Sequence, residues 1–148
     1  MNEMHITESP EQPMNKQNTG NTPALWNPEA AGAWSLIFTP IFGSALVLMN
    51  WQALEKKEQI RTAQIWLVVS IIMLFVQLVS GIPVIALLYF ILWYFASAKL
   101  QAKYVKELWG KEYPRRSWLW PLIIGFTAWI IFLGAIFIVS FIGAFLSS

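Results

Sequence analysis

The chain has 148 residues, of which 57% are hydrophobic, 16% aromatic and only 12% charged, with a mean hydropathy of +0.53. Soluble domains average about 45–50% apolar and about 25% charged, so this composition belongs in lipid rather than in water. Cysteine and Asp are absent and the only His is His5, which excludes disulfides, thiolate metal sites and a cysteine nucleophile and leaves most enzyme chemistries without residues.

Residues 1–27 (MNEMHITESPEQPMNKQNTGNTPALWN) are rich in Asn, Gln, Thr, Pro and Glu, with no periodic apolar face. Such a segment buries too little apolar area to offset its conformational entropy, so a disordered polar tail is expected. It has no basic stretch followed by an apolar core and does not read as a cleavable signal peptide; the first apolar span is expected to serve as an uncleaved insertion signal.

Residues 28–148 read as one all-α domain, an integral membrane bundle of four transmembrane helices. Charge-free stretches cover 30–54, 62–98 and 117–148. A spanning helix needs about 20 apolar residues. The first stretch fits one span, about 30–50. Its start is marked by Asn27-Pro28-Glu29: a capping side chain, a proline suited to the first helical position, and an acid at the positive end of the helix dipole. Within it Thr39-Pro40 predicts a kink, since Pro removes a backbone hydrogen bond and crowds the preceding turn. The alternative at Pro40 is a hinge or re-entrant loop, which gives three spans plus a re-entrant first segment and puts the N-terminus on the cytoplasmic side.

The second stretch, at ~1.5 Å per residue, would be roughly 55 Å long as one helix, too long for ordinary tilt. It must break, and Ser80-Gly81-Ile82-Pro83 is the place: Gly81 just past a helix end, Pro83 in the first turn of the next. The spans expected are 61–80 and 83–103, joined by a tight turn. The third stretch holds a single span, about 121–146.

Lys and Arg set the orientation. Lys56, Lys57 and Arg61 lie between spans one and two, and Lys99, Lys103, Lys106, Lys111, Arg115 and Arg116 between three and four; only Lys16 lies elsewhere. In the four-span arrangement both loops fall on one face, the cytoplasmic one, and both termini and the Ser80–Pro83 turn lie outside. Trp51, Trp66, Trp93, Trp118 and Trp120, with Tyr94 and Tyr104, fall near the inner span ends, and Trp26 and Trp34 mark the outer start of the first span, an arrangement of two aromatic belts.

Residues 98–109 (AKLQAKYVKELW) continue the third helix as an amphipathic segment along the membrane surface. Lys99, Lys103 and Lys106 share one face; Leu100, Tyr104, Val105 and Leu108 cover the other. With Arg115 and Arg116 these lysines are the candidate contacts for anionic lipid headgroups, against the plainer role of enforcing topology. Glu55, Glu58, Glu107 and Glu112 are embedded among bases and read as solvated ion pairs rather than acid–base machinery. No carboxylate lies within an apolar span, which disfavours ion-coupled transport, for which intramembrane ionisable groups are the mark.

The polar residues within the spans are Ser35, Thr39, Ser44, Ser70, Gln77, Ser97, Thr127 and Ser140. Gln77 is the costliest to leave in lipid and is expected to bond another helix. Pro40, Gln77, Gly81 and Pro83 are the packing and kink positions. Gly125, Ala128, Gly134, Ala135, Ser140, Gly143 and Ala144 punctuate the last helix without sharing one face. Phosphate-loop, dinucleotide, zinc-protease and serine-hydrolase motifs are absent from the sequence, and no catalytic residue, metal ligand or cofactor is expected.

Trp26-Asn27-Pro28-Glu29-Ala30-Ala31, Trp34-Ser35-Leu36-Ile37-Phe38-Thr39-Pro40-Ile41-Phe42-Gly43, Asn50-Trp51-Gln52-Ala53-Leu54, Tyr94-Phe95-Ala96-Ser97 and Tyr113-Pro114-Arg115-Arg116 together make the chain similar to a family of small polytopic bacterial inner-membrane proteins. The resemblance spans most of residues 26–120. It implies a multi-pass location in the bacterial cytoplasmic membrane and no activity, substrate or catalytic residue. The function expected is that of a non-enzymatic accessory or interaction protein of the cell envelope. The alternatives are an immunity protein against a membrane-acting toxin and an oligomeric channel or small-solute transporter. The expected partners are the bilayer and another membrane protein or a second copy of the chain, with basic residues too few for nucleic acid.

Overall fold

The computed structural model describes residues 22–146, and these form five helices: α1 (Pro28–Phe38), α2 (Pro40–Ala53), α3 (Lys57–Ser80), α4 (Pro83–Trp109) and α5 (Leu119–Leu146). The chain is all-α. The last three helices, of 24, 27 and 28 residues, each hold an 18-residue stretch of mean hydropathy 2.2, 1.6 and 2.7 respectively, and are long and apolar enough to cross a membrane.

The first apolar stretch is not one span. α1 begins as read, with the Asn27 side chain accepting from the Glu29 N–H at 3.1 Å and Pro28 in the first turn. It ends at Phe38 because a residue before proline is pushed out of the α region. Thr39 adopts φ 85°, ψ 155°, and Pro40 opens α2. The turn reverses the chain: Ser35 of α1 meets Gly43 of α2, Ala31 packs with Leu46, and Trp26 bonds Asn50, successive rungs of an antiparallel pair. With 11 and 14 residues the two helices measure about 16 and 21 Å at ~1.5 Å per residue, each short of a ~30 Å hydrocarbon layer. The single span at 30–50, and the four-helix count built on it, give way to a helical hairpin. Sequence alone allowed a kink at Pro40; what decides for reversal is the close approach that Gly43 permits.

The break at 80–83 forms as expected. Gly81 takes the left-handed conformation (φ 65°) that caps α3, donating to the Gln77 carbonyl at 3.0 Å, and Pro83 starts α4. α4 runs on to Trp109 as one helix, interrupted by a π turn at Tyr94–Ala98. Among its buried residues Tyr89, Trp93, Ser97, Gln101 and Val105 recur every fourth position, with Ala98 buried beside Ser97. In a plain α-helix that set would drift by about 160°, and the extra residue of the π turn removes about 100° of it. The basic segment 98–109 thus continues the helix beneath the hairpin, with Gln101 and Val105 against it, and Gly110 (φ 63°) ends it.

Residues 22–27 were expected to belong to the disordered tail. They are instead held in place: Leu25, fully buried, donates to the Pro114 carbonyl at 3.0 Å and accepts from the Arg116 N–H at 2.9 Å, an isolated parallel bridge. An apolar pair, Leu25-Trp26, has found both burial and backbone partners there. This also places the start of the described chain beside the basic 110–118 loop, not opposite it as the four-span arrangement requires. The remainder of the tail, residues 1–21, lies outside the described residues.

The core sits where α2, α3 and α4 meet, around Val47, Trp51, Ala63, Tyr89, Trp93 and Ala98. α5 touches the rest through its first turns, where a Cβ on Gly125 would come within 3.2–3.3 Å of ring carbons of Phe38 and Phe42, and Phe126 stacks edge-on to Phe38 at 4.8 Å.

Candidate functional site

The buried polar side chains gather at two levels of the hairpin. At its open end, Asn50 bonds the backbone of Trp26 both ways: the Trp26 N–H donates to Oδ1 at 3.0 Å, and Nδ2 donates to the Trp26 carbonyl at 2.8 Å. Asn50 Nδ2 also donates to Gln101 Oε1 at 3.0 Å, and Gln101 Nε2 donates to the Val47 carbonyl at 2.9 Å. Asn50 and Gln101 are both fully buried. The entry segment (residues 22–27), the end of α2 and the far part of α4 are thereby joined by two carboxamides. Buried amides tolerate no mismatch, since each unpaired donor or acceptor costs about 1–3 kcal/mol.

Nearer the middle, three hydroxyls join α2, α3 and α4. Ser44 Oγ lies 3.1 Å from Ser70 Oγ, which lies 2.7 Å from the Tyr89 hydroxyl, and Ser70 also donates to the Trp66 carbonyl at 2.7 Å. One residue beyond Ser44, toward the reversal at Pro40, the helices nearly touch: a Cβ on Gly43 would overlap Ser35 Oγ and come within 2.8 Å of the Trp93 ring at Cζ2. The indole N–H of Trp93, in the same wall, is buried with no partner.

Of the packing positions read from sequence, Pro40 lies at the reversal and Gly81 and Pro83 at the α3–α4 turn. Gln77 does not make its expected interhelical bond; its Oε1 is buried and unpartnered. Asn50 and Gln101, the central pair, were absent from the expected polar set. Their signal was available: Asn50 is a carboxamide within a charge-free stretch, and Gln101 is the one uncharged polar residue on the apolar face of the 98–109 segment.

The basic residues do not act as one stripe. Lys99 extends over the Phe95 ring at 4.5 Å, Lys103 pairs with Glu107 at 3.7 Å, and the Arg116 guanidinium stacks on Trp26 at 4.6 Å. Lys106 and Arg115 come together with Lys111 around a cavity of about 200 Å³ at the start of α1. A larger cavity, about 590 Å³, lies between the α2–α3 connection and α4, lined by Lys56, Lys57 and Lys103 and by Glu55, Glu58 and Glu107. At the rim, burial pushes the Tyr113 phenol above its usual range, partly offset by the neighbouring Arg115 and reinforced by Glu29.

Chemically, the hairpin's interior is built of hydroxyls, carboxamides and backbone groups bonded to one another across helices, a set suited to fixing helices in register. Among the described residues, no three His or carboxylate side chains stand close enough together to hold a metal ion. Comparison with known families, with curated proteins and with solved structures gives no match to this chain. The likeness to small bacterial inner-membrane proteins gains no support there, and what stands is a small helical protein with three candidate membrane spans.

Proposed function

We propose that this chain is a three-span protein of the bacterial cytoplasmic membrane in which α1 and α2 form a re-entrant hairpin, and that it works without catalysis as an accessory or interaction protein. The observation that carries the reading is the two-way bond between Asn50 and the Trp26 backbone: it ties the entry and exit of the hairpin to one face, the face that bears the basic loops. Lys and Arg near span ends mark the cytoplasmic side. On that rule the hairpin dips in from the cytoplasm, the Ser80–Pro83 turn lies outside, and α5 ends outside. The polar interior supports a structural rather than catalytic role, since the hydroxyls of Ser44, Ser70 and Tyr89 and the carboxamides of Asn50 and Gln101 are bonded to one another or to the backbone. The apolar flank of α5, with only 6% of its most hydrophobic window buried, is surface offered to lipid or to another membrane helix.

Because the chain has no cysteine, single introduced thiols report its topology directly. With a membrane-impermeant maleimide on intact cells, Gly20→Cys, Glu55→Cys and Gly110→Cys are expected to stay unlabelled until the cells are opened, while Ile82→Cys reacts at once. Labelling of Gly20→Cys from outside would restore the four-span arrangement. The non-catalytic part is tested by replacing Glu55, Glu58, Glu107 and Glu112 together with Gln, which is expected to leave complementation of a deletion strain intact.

A further inference from the structure

We propose that the cavity at the start of α1, walled by Lys106, Lys111 and Arg115, is a binding site for one phosphate-bearing anion. The inference rests on the reading above only in placing this rim at the headgroup level of a membrane. Asn27 and Glu29 come from the head of α1, Lys106 from the last turns of α4, and Lys111, Tyr113 and Arg115 from the loop that follows. The Leu25–Arg115 bridge holds α1 and that loop in register, so the cations from two segments are fixed around one space rather than spread over a helix face.

Charge separates this cavity from its neighbour. The larger one sets three lysines against three glutamates and has no net charge to offer. The smaller sets two lysines and an arginine against Glu29 alone. Arg115 supplies the planar fork that matches a phosphate's paired oxygens, and the lysines supply point charges. Of the other basic residues near the rim, Lys99 lies over Phe95, Lys103 pairs with Glu107 and Arg116 stacks on Trp26. Arg115 itself packs over the Tyr113 ring at 5.6 Å, a contact within the cavity wall that holds the guanidinium at the site. The backbone at the helix start adds little, since Pro28 has no N–H and the Glu29 N–H is already capped by Asn27, so recognition falls to the side chains. At about 200 Å³ the space is smaller than the ~300–1,000 Å³ of sites for drug-sized ligands, a size that suits a single phosphate or phosphodiester group. A phospholipid headgroup and free inorganic phosphate share this chemistry.

The test uses the full chain purified in an uncharged detergent, where no membrane surface potential contributes, titrated separately with short-chain phosphatidylglycerol and with inorganic phosphate and read by native mass spectrometry. One saturable adduct is expected. Lys106→Gln with Arg115→Gln should weaken it by about tenfold or more. Lys99→Gln with Lys103→Gln removes the same charge and should leave it unchanged. Glu29→Gln should tighten it, a gain that misfolding does not produce. Binding of the lipid alone identifies a headgroup site, and binding of inorganic phosphate as well identifies a site for the free anion. Unsaturable adducts, no adduct, or equal losses from the two paired variants overturn the proposal. The thiol-labelling topology does not enter this measurement, so either can fail without the other.

Discussion

The hairpin α1–α2 and the helix α5 are made of similar material and behave oppositely. The most apolar 18-residue stretch of α5 has the highest mean hydropathy among the three candidate spans, 2.7, and the smallest buried share, 6%. The hairpin opens on Pro28, is interrupted at Pro40, and carries serines and an asparagine, yet it buries Ala31, Ser35, Phe38, Gly43, Ser44, Leu46, Val47, Asn50 and Trp51. In water this ordering would be inverted, because apolar area drives burial there. In lipid an apolar helix gains nothing by leaving the tails, and close packing and polar pairs decide which helices associate. The contrast thus shows which part of the chain is specified by its own contacts and which is left to its surroundings.

The sharpest way to break the contrast is to deny the hairpin its close approach. Gly43→Leu places a side chain where Ser35 and Trp93 already stand. Overpacking of this kind costs about 1–3 kcal/mol, at times more, and here it is expected to open the hairpin. A Cys pair at Ala31→Cys and Leu46→Cys, which should cross-link in the parent, is expected to lose that cross-link. Retained cross-linking would show that the hairpin does not depend on contact at Gly43.

Next comes the carboxamide junction. Gln101→Leu keeps the volume but removes a second donor from the Val47 carbonyl and strands one donor of Asn50, and a loss of about 2 kcal/mol in detergent unfolding is expected. The paired change with Asn50→Leu should cost less than the sum, with a coupling of about 0.6–1.7 kcal/mol. Additive losses would mean that the two amides act independently. Ser70→Ala removes the hub of the three-hydroxyl chain and should cost about 1 kcal/mol, with Tyr89→Phe milder because Ser70 keeps its bond to the Trp66 carbonyl.

What was legible in the sequence follows the range of the interactions. The Gly81–Pro83 turn was readable because a left-handed cap and a proline start are properties of a few adjacent residues. The three long helices were readable because an uncharged stretch states its own solvent. The reversal at Pro40 was visible only as one of two outcomes, since a Thr-Pro step terminates a helix without saying where the chain goes next. The answer lies in Asn50 meeting Trp26 and Gln101, and in Gly43 facing Ser35 and Trp93, contacts that no local pattern encodes. The small residues of α5 show the converse: Gly125 packs on Phe38 and Phe42, whereas Gly134 has nothing within reach. Spacing of small residues did not distinguish them.

A smaller effect, of opposite sign, is expected at the reversal itself. Thr39 at φ 85°, ψ 155° occupies backbone space that is open mainly to glycine and costs a β-branched residue about 1–3 kcal/mol. Thr39→Gly removes that strain and adds about 0.5–1 kcal/mol of chain entropy to the unfolded state. A net stabilisation of about 1 kcal/mol is expected in detergent unfolding. Destabilisation would mean that the threonine makes the turn rather than tolerates it.

The smallest effect should come from α5. Ile138, 58% exposed, has the tails of lipid or detergent as its neighbours in both the associated and the dissociated state. Ile138→Ala is therefore expected to change stability by less than about 0.5 kcal/mol, the range of substitutions that touch nothing, where the same truncation in a packed core costs about 2–5 kcal/mol. Measured in the purified monomer, a core-sized loss would show α5 folded against the rest of the chain and would erase the contrast. A near-zero effect in the monomer together with a clear loss of association in membranes would give α5 a second helix as its partner, and the difference between the two regions would then be one between contacts made within the chain and contacts made outside it.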